Sequence, residues 1–222
     1  NVLPLLLNLV GKSLVQAETR DDETRDGETR YRMLETIREY ALEQLATFNE
    51  IDAFRQRHAQ YLLTFVQESA PRAMHESDSP LQFVLGADTE LWMRRIEEEH
   101  DNVRAALGWC LRDGCGADDS ATGVTLVKWL GLFWITYAYQ VEALAWMNRA
   151  LLHIDAAFAV RTRAQILIQI ADFENAFGDC AHAEASADAA LQMFRELDSR
   201  FELMRALQIR AAIDLHTGRG RM

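Results

Sequence analysis

Two stretches of sequence decide the fold when one is set above the other: residues 124–154, VTLVKWLGLFWITYAYQVEALAWMNRALLHI, and residues 164–194, AQILIQIADFENAFGDCAHAEASADAALQMF. They begin at positions 124 and 164, and at that offset of 40 their columns agree. Val127 falls over Leu167, Phe133 over Phe173, Gly131 over Ala171, Ala138 over Gly178, Ala143 over Ala183 and Ala150 over Ala190. Leu207, Ala211, Ile213 and Gly218 continue four of these columns. Repetition at a period of about 20–50 residues marks an array in which each unit buries its apolar face only against its neighbours. The chain is therefore expected to be an all-α helical repeat array, with function on the surface that the array presents.

Within the first unit, Leu130-Gly131, Trp134, Ala143, Met147 and Ala150 stand where two antiparallel helices pack closely through small residues and large ones fill the gaps. The second unit keeps Ile170-Ala171, Ala183 and Ala190 but puts Glu174 and Ala187 in the columns of Trp134 and Met147. The spacing resembles the tetratricopeptide repeat, whose unit has about 34 residues, and that resemblance implies a right-handed solenoid. Here the unit is longer and no proline closes it, which predicts extended helices or longer connections. A third unit holds its first helix only, residues 200–217, so that helix is expected to expose an unpartnered face.

Composition narrows the function classes. Lys and Arg number 23 against 34 Asp and Glu, a net charge of -11, which disfavours a phosphate backbone because neutralising cations supply most nucleic-acid affinity. Cys110, Cys115 and Cys180 form no CxxC, so neither a disulfide framework nor a zinc site is indicated. Reduced thiols in a cytoplasmic protein are the expectation. The longest largely apolar run, Trp129 to Tyr139, is far shorter than the roughly 20 residues a membrane helix needs. Val2 to Val10 has no basic flank and no small-residue cleavage site, so it does not read as a signal peptide. Asn1 at the start and His216 to Gly220 at the end read as cuts through a longer polypeptide.

Ahead of the repeats the periodicity changes twice. A short helix with Pro4 in its first turn leads into Leu14-Val15-Gln16 as a strand. The polar tract Glu18 to Arg30 follows, with a turn at Asp26-Gly27, and Tyr31-Arg32-Met33-Leu34 resumes the extended alternation. This reads as a β-hairpin with a solvated tip, in the order of the second half of a winged helix. From Leu34 the period becomes helical, with Ile37, Ala41, Leu45 and Phe48 on one stripe. A helix from about Asp52 carries Phe54, His58, Tyr61, Leu62 and Phe65 on its apolar side and ends at Pro71. Residues 72–80 are polar and irregular. One long helix is then predicted from Asp88 to Arg112, with Trp92, Ile96, Val103, Leu107 and Leu111 inward, stopped by Gly114-Cys115-Gly116.

Tyr31-Arg32-Met33-Leu34-Glu35-Thr36-Ile37-Arg38-Glu39-Tyr40-Ala41 resembles the end of the winged-helix portion of large bacterial STAND-class signal-transduction ATPases, including LuxR-type and MalT-like transcriptional regulators. Leu9 to Val15 resembles the preceding helix-to-strand junction of these proteins. Arg55 to Ala59, and Glu97 to Asn102 with Val103 to Leu107, resemble their linker helices. The resemblance implies three parts: the back of a winged helix over residues 1–48, linker helices over 49–113, and tetratricopeptide-like repeats over 114–222. It further implies a non-catalytic sensor or scaffold segment that binds an effector or partner protein, with any ATPase in a separate upstream domain of the same polypeptide. A constitutive protein-interaction adaptor is the alternative, and a DNA-binding winged-helix module, disfavoured by charge, is the third.

The remaining motifs point away from chemistry. Gly11-Lys12-Ser13 lacks the earlier glycine of a phosphate-binding loop, since Leu6 stands there. No nucleophile elbow and no HExxH occur, so no catalytic, cofactor-binding or metal-binding residue is assigned. His58 and His100 fall on apolar sides of helices and read as core histidines, and Glu97-Glu98-Glu99-His100-Asp101 reads as a solvated charge run. Trp129, Phe133 and Tyr137 share one stripe and Trp134 points elsewhere, so this helix reads first as one buried between its neighbours. The alternative makes Trp129, Phe133, Tyr137 and Tyr139, with Asn175 of the second unit, the candidate groove for a partner or small effector.

Overall fold

The computed structural model of the chain describes residues 2–19, 29–71, 87–154 and 160–219. The tip of the hairpin, 20–28, and the polar segment 72–80 lie outside the described residues. The described chain is helical apart from one antiparallel pair of strands, and it divides into two compact units, Asn1–Phe54 and Arg55–Met222.

The first unit holds α1 (Leu3–Gly11), β1 (Val15–Thr19), β2 (Thr29–Met33) and α2 (Glu35–Thr47). Pro4 lies in the first turn of α1, where a missing N–H leaves no bond unmade. The strands pair from Val15 opposite Met33 to Thr19 opposite Thr29. Pairing thus runs further into the polar tract than the apolar residues alone suggest. Ladder bonds need no apolar side chain, and Glu18 stands directly opposite Arg30, a favourable cross-strand charge pair. Along α2 the half-buried side chains are Ile37, Ala41, Leu42 and Leu45, the stripe expected from the period, while Leu34 and Phe48 at its ends are exposed.

The second unit begins within α3 (Ile51–Glu68) and continues with α4 (Ala87–Glu98), α5 (His100–Cys110), α6 (Ala117–Thr136), α7 (Gln140–Leu152), α8 (Val160–Ala176), α9 (Cys180–Glu196) and α10 (Arg200–His216). The buried stripe of α3 is Ala59, Leu62, Leu63 and Val66, whereas Phe54 and Tyr61, expected inward, are exposed. The packing of α4 fixes which side faces inward: Trp92 donates its indole N–H to the Val66 carbonyl at 2.9 Å. Tyr61 stacks outside on Phe65.

The single helix expected over 88–112 is two. Glu99 interrupts it, with its N–H bonded to the Ile96 carbonyl, three residues back. That tight step leaves the inward stripe of Trp92, Ile96, His100, Val103, Leu107 and Leu111 continuous, so hydrophobic spacing carries no trace of it.

From α6 onward the repeat is visible atom by atom. Three turns 40 residues apart close with the same bond: Tyr139 N–H to the Trp134 carbonyl, Asp179 to Glu174 and Arg219 to Asp214, each at 2.9 Å. In each turn the residue before the donor is left-handed, with φ of 60° at Ala138, 81° at Gly178 and 77° at Gly218. This is the 6→1 closure of a Schellman cap, which satisfies an orphan carbonyl and turns the chain back on itself. The extra length of the second unit resides in helix: α9 runs to Glu196, and only Leu197-Asp198-Ser199 separates it from α10.

Two apolar clusters fill the unit. One runs from Ala59 through Trp92, Leu107, Phe133 and Met147 to Phe173; the other gathers Ala164, Ala171, Ala183, Ala187, Ala190, Phe194 and Ile213. Helix α8 contributes to both. Where the first unit buries Trp134 and Met147, the second has Ala187 and a Ser186 to Glu174 hydrogen bond of 3.2 Å. On α10, Met204, Leu207 and Ala211 are exposed in the columns that Ala164, Leu167 and Ala171 fill in α8. At Gly123 a Cβ would lie 2.7 Å from the Cys110 Cβ, so the crossing of α6 over the end of α5 requires glycine.

Candidate functional site

The first helix of each unit, α6, α8 and α10, is joined to its neighbour by a seam of polar side chains. Gln165, Gln169, Asp172 and Asn175 lie along one side of α8 at helical spacing. Gln169 donates to the Lys128 carbonyl of α6 at 3.1 Å. Towards α10, the Gln165 amide donates to Glu202 at 2.7 Å and Arg161 to the other Glu202 oxygen at 3.0 Å, Arg205 donates to Asp172 at 3.4 Å, and His216 Nδ1 meets the Asn175 oxygen at 2.9 Å. Buried polar groups favour such partners, and these bonds cross from one repeat to the next, while Ser199 of the same repeat also donates to Glu202. Burial pushes the Asp172 carboxyl up, and the Arg205 charge only partly opposes it. Sequence reading selects Asn175 from this seam and misses Gln165, Gln169 and Glu202. For the two glutamines the signal is present, as amides standing among Ile166, Ile168 and Ile170.

Where α6 turns into α7, the aromatic candidates meet an ionic cluster built around the buried His100. His100 is 4% exposed and lies between two carboxylates, Glu142 of α7 at 3.1 Å from Nε2 and Glu97 of α4 at 3.8 Å from Nδ1. Phe133 meets the His100 ring edge-on at 5.0 Å, and Tyr139 lies 4.5 Å from it. The Tyr139 hydroxyl donates to Glu97 at 2.8 Å, and Arg104 clasps Glu142 through Nε at 3.0 and 3.1 Å and through a terminal nitrogen at 2.6 Å. Glu97 is thereby drawn inward instead of joining a solvated charge run.

Burial works against ionisation of Glu142, but the Arg104 hydrogen bonds and the His100 and Arg104 charges prevail, and the carboxyl lies below its ordinary range. The Tyr139 hydroxyl is pushed up, first by its bond to Glu97 and then by burial. Tyr137 is also pushed up, by burial and by the Glu97 charge.

Of the five candidates, Phe133 is fully enclosed, Trp129 and Asn175 are each 8% exposed, and Tyr139 is half-buried and bonded to Glu97. Tyr137 is 36% exposed, its ring 5.2 Å from Phe133 and stacked 6.5 Å from Tyr139. The structure therefore brings Phe133, Tyr137 and Tyr139 together, and separately places Asn175 in the inter-repeat seam with His216. Such a surface can hold a ligand by ring contact and hydrogen bonding. Among the described residues no group of three or more His, Cys, Asp or Glu is arranged to hold a metal ion.

Fold and site define a helical-repeat protein with a small α-helix and hairpin unit. Three mycobacterial proteins, one from Mycobacterium bovis and two from strains of Mycobacterium tuberculosis, are each 31% identical to it over 214 residues. All three are provisionally named HTH-type transcriptional regulators. The match covers 93% of this chain, and the chain spans 22% of the length of these relatives. No protein-family profile matches the chain, and no solved structure matches it significantly. No helix among the described residues is long and apolar enough to cross a membrane.

Proposed function

We propose that this chain is the non-catalytic sensing segment of a transcriptional regulator, binding an effector or partner protein on its helical repeats and passing that state to the rest of the polypeptide. The observation that carries the reading is the stacking of α6, α8 and α10 in one 40-residue register, closed by identical caps at 138, 178 and 218, since stacked first helices of this kind form an extended binding wall. Similarity along most of the chain to proteins named as regulators supports the regulatory setting. In the finer reading, residues 1–48 are the back of a winged helix of a STAND-class, LuxR-type or MalT-like regulator, 49–113 are linker helices, and 114–222 are tetratricopeptide-like repeats. ATP hydrolysis then belongs to a P-loop domain outside these residues, and the segment works in the cytoplasm. A relay of this kind needs an element with two arrangements that the effector binds unequally.

Tyr137 is the residue on which to test it, because its ring is half-exposed while Tyr139 is tied into the ionic cluster. In a thermal-shift screen of metabolites, an effector at about 100 times its Kd should raise the melting temperature by about 5 °C or more. Tyr137→Ala should retain the melting temperature of the free protein and lose that shift. A protein retained on the chain with no small molecule present, and no metabolite shift, points instead to the constitutive adaptor.

A further inference from the structure

We propose that Cys115 is a thiol-modification site, primed by His153 to form a mixed disulfide with small soluble disulfides. Cys115 lies in the turn between α5 and α6, and its Sγ is 3.5 Å from His153 Nδ1 at the end of α7. The other ring nitrogen, Nε2, lies 3.1 Å from the Leu111 carbonyl, which can only accept. The proton of the neutral ring therefore resides on Nε2, and Nδ1 presents its lone pair to the thiol. Nucleophile, base and a third group that orients the base are the three parts of an activated nucleophile.

Access favours the same thiol. Gly114 and Gly116 flank Cys115 with no side chain to cover it, and Cys115 itself is partly exposed. It directly precedes Gly116, the N-cap of the long helix α6, whose first turn carries Asp118 and Asp119, so the His153 base is the principal lever. Cys110, five residues earlier, is fully buried and its thiol is pushed up to about 12, chiefly by burial, which leaves it unreactive.

In the reaction, the Cys115 S–H proton passes to His153 Nδ1 as Sγ bonds to one sulfur of the incoming disulfide. The disulfide bond breaks, and the second sulfur leaves with the electron pair and takes the proton from His153 as a free thiol. Cys115 is oxidised, the departing half of the reagent is reduced, and no further reactant is needed. The adduct would form where Leu111, held by both Arg149 and His153, joins α7 to the turn after α5.

The test uses the whole chain with oxidised glutathione as probe, following the adduct at each cysteine by peptide mass spectrometry. Cys180, also partly exposed but with no imidazole bonded to it among the described residues, is the internal reference. Cys115 should react at least about tenfold faster than Cys180, and His153→Gln should slow Cys115 by about tenfold while leaving Cys180 unchanged. Equal rates at the two cysteines in the unaltered protein overturn the proposal, and that comparison stands even if the His153 variant does not fold. A Cys115 rate unaffected by His153→Gln in a folded variant overturns it as well.

Discussion

Ala138 sits at φ 60°, in the left-handed position that glycine fills at 178 and 218. A side chain there meets the following carbonyl, a strain of roughly 1–2 kcal/mol, whereas glycine is free of it but loses more freedom on folding. Ala138→Gly is therefore expected to stabilise the protein by about 0.5–1 kcal/mol, read as a higher urea midpoint at unchanged slope; a lower midpoint would contradict the cap assignment. The column Ala138, Gly178, Gly218 was legible as one of small residues. That it marks a backbone angle became evident only with the turn in view, because residue size does not report φ. Gly123 is similar: nothing local to it announces that Cys110 and Leu111 of another helix lie where its side chain would be.

Among the elements, α4, α5, α6 and α7 are held together at the His100 cluster, and the pH dependence of that junction has a definite sign. Glu142 has a folded value depressed below its ordinary 4.5. Such a group contributes stability that is fully present above the unfolded value and is lost as pH falls through the depressed one. Glu142→Gln should destabilise the protein at pH 7 by about 1–3 kcal/mol, and its melting temperature should fall less steeply than that of the unaltered protein below the ordinary carboxylate value. Parallel acid limbs for the two proteins would show that Glu142 is not the linked group. Asp172 and Glu174, pushed up by burial, act in the opposite sense, so the difference between the two proteins is the informative quantity. Helix existence and inward stripes were readable here, since period 3.6 shows which side is apolar. The step at Glu99 and the outward turn of Tyr61 were not, because a stripe constrains the mean direction of a helix face and leaves single turns to the neighbours that pack on it.

For the array as a whole, the question is whether its two apolar clusters behave as one. Ile166, Ile170 and Phe173 of α8 belong to the first cluster, and Ala164, Ile168 and Ala171 of the same helix to the second. All five tryptophans, Trp92, Trp109, Trp129, Trp134 and Trp146, lie in or against the first. Ala190→Leu overpacks the second cluster at a cost of about 1–3 kcal/mol, and nearest-neighbour coupling through α8 should lower the urea midpoint read by tryptophan fluorescence. An unmoved fluorescence midpoint would mean that the clusters unfold separately. By itself the sequence determined the helical class, the 40-residue period, the hairpin and most inward residues of α4 and α5, because periodicity and small-residue columns are properties of the chain's own order. The polar seam across α8, the enclosure of Phe133 and Trp129, the partners of His100 and the pairing of Cys115 with His153 were decided by tertiary structure alone. Those contacts join residues about 40 positions apart, and their distances depend on how one helix settles against the next.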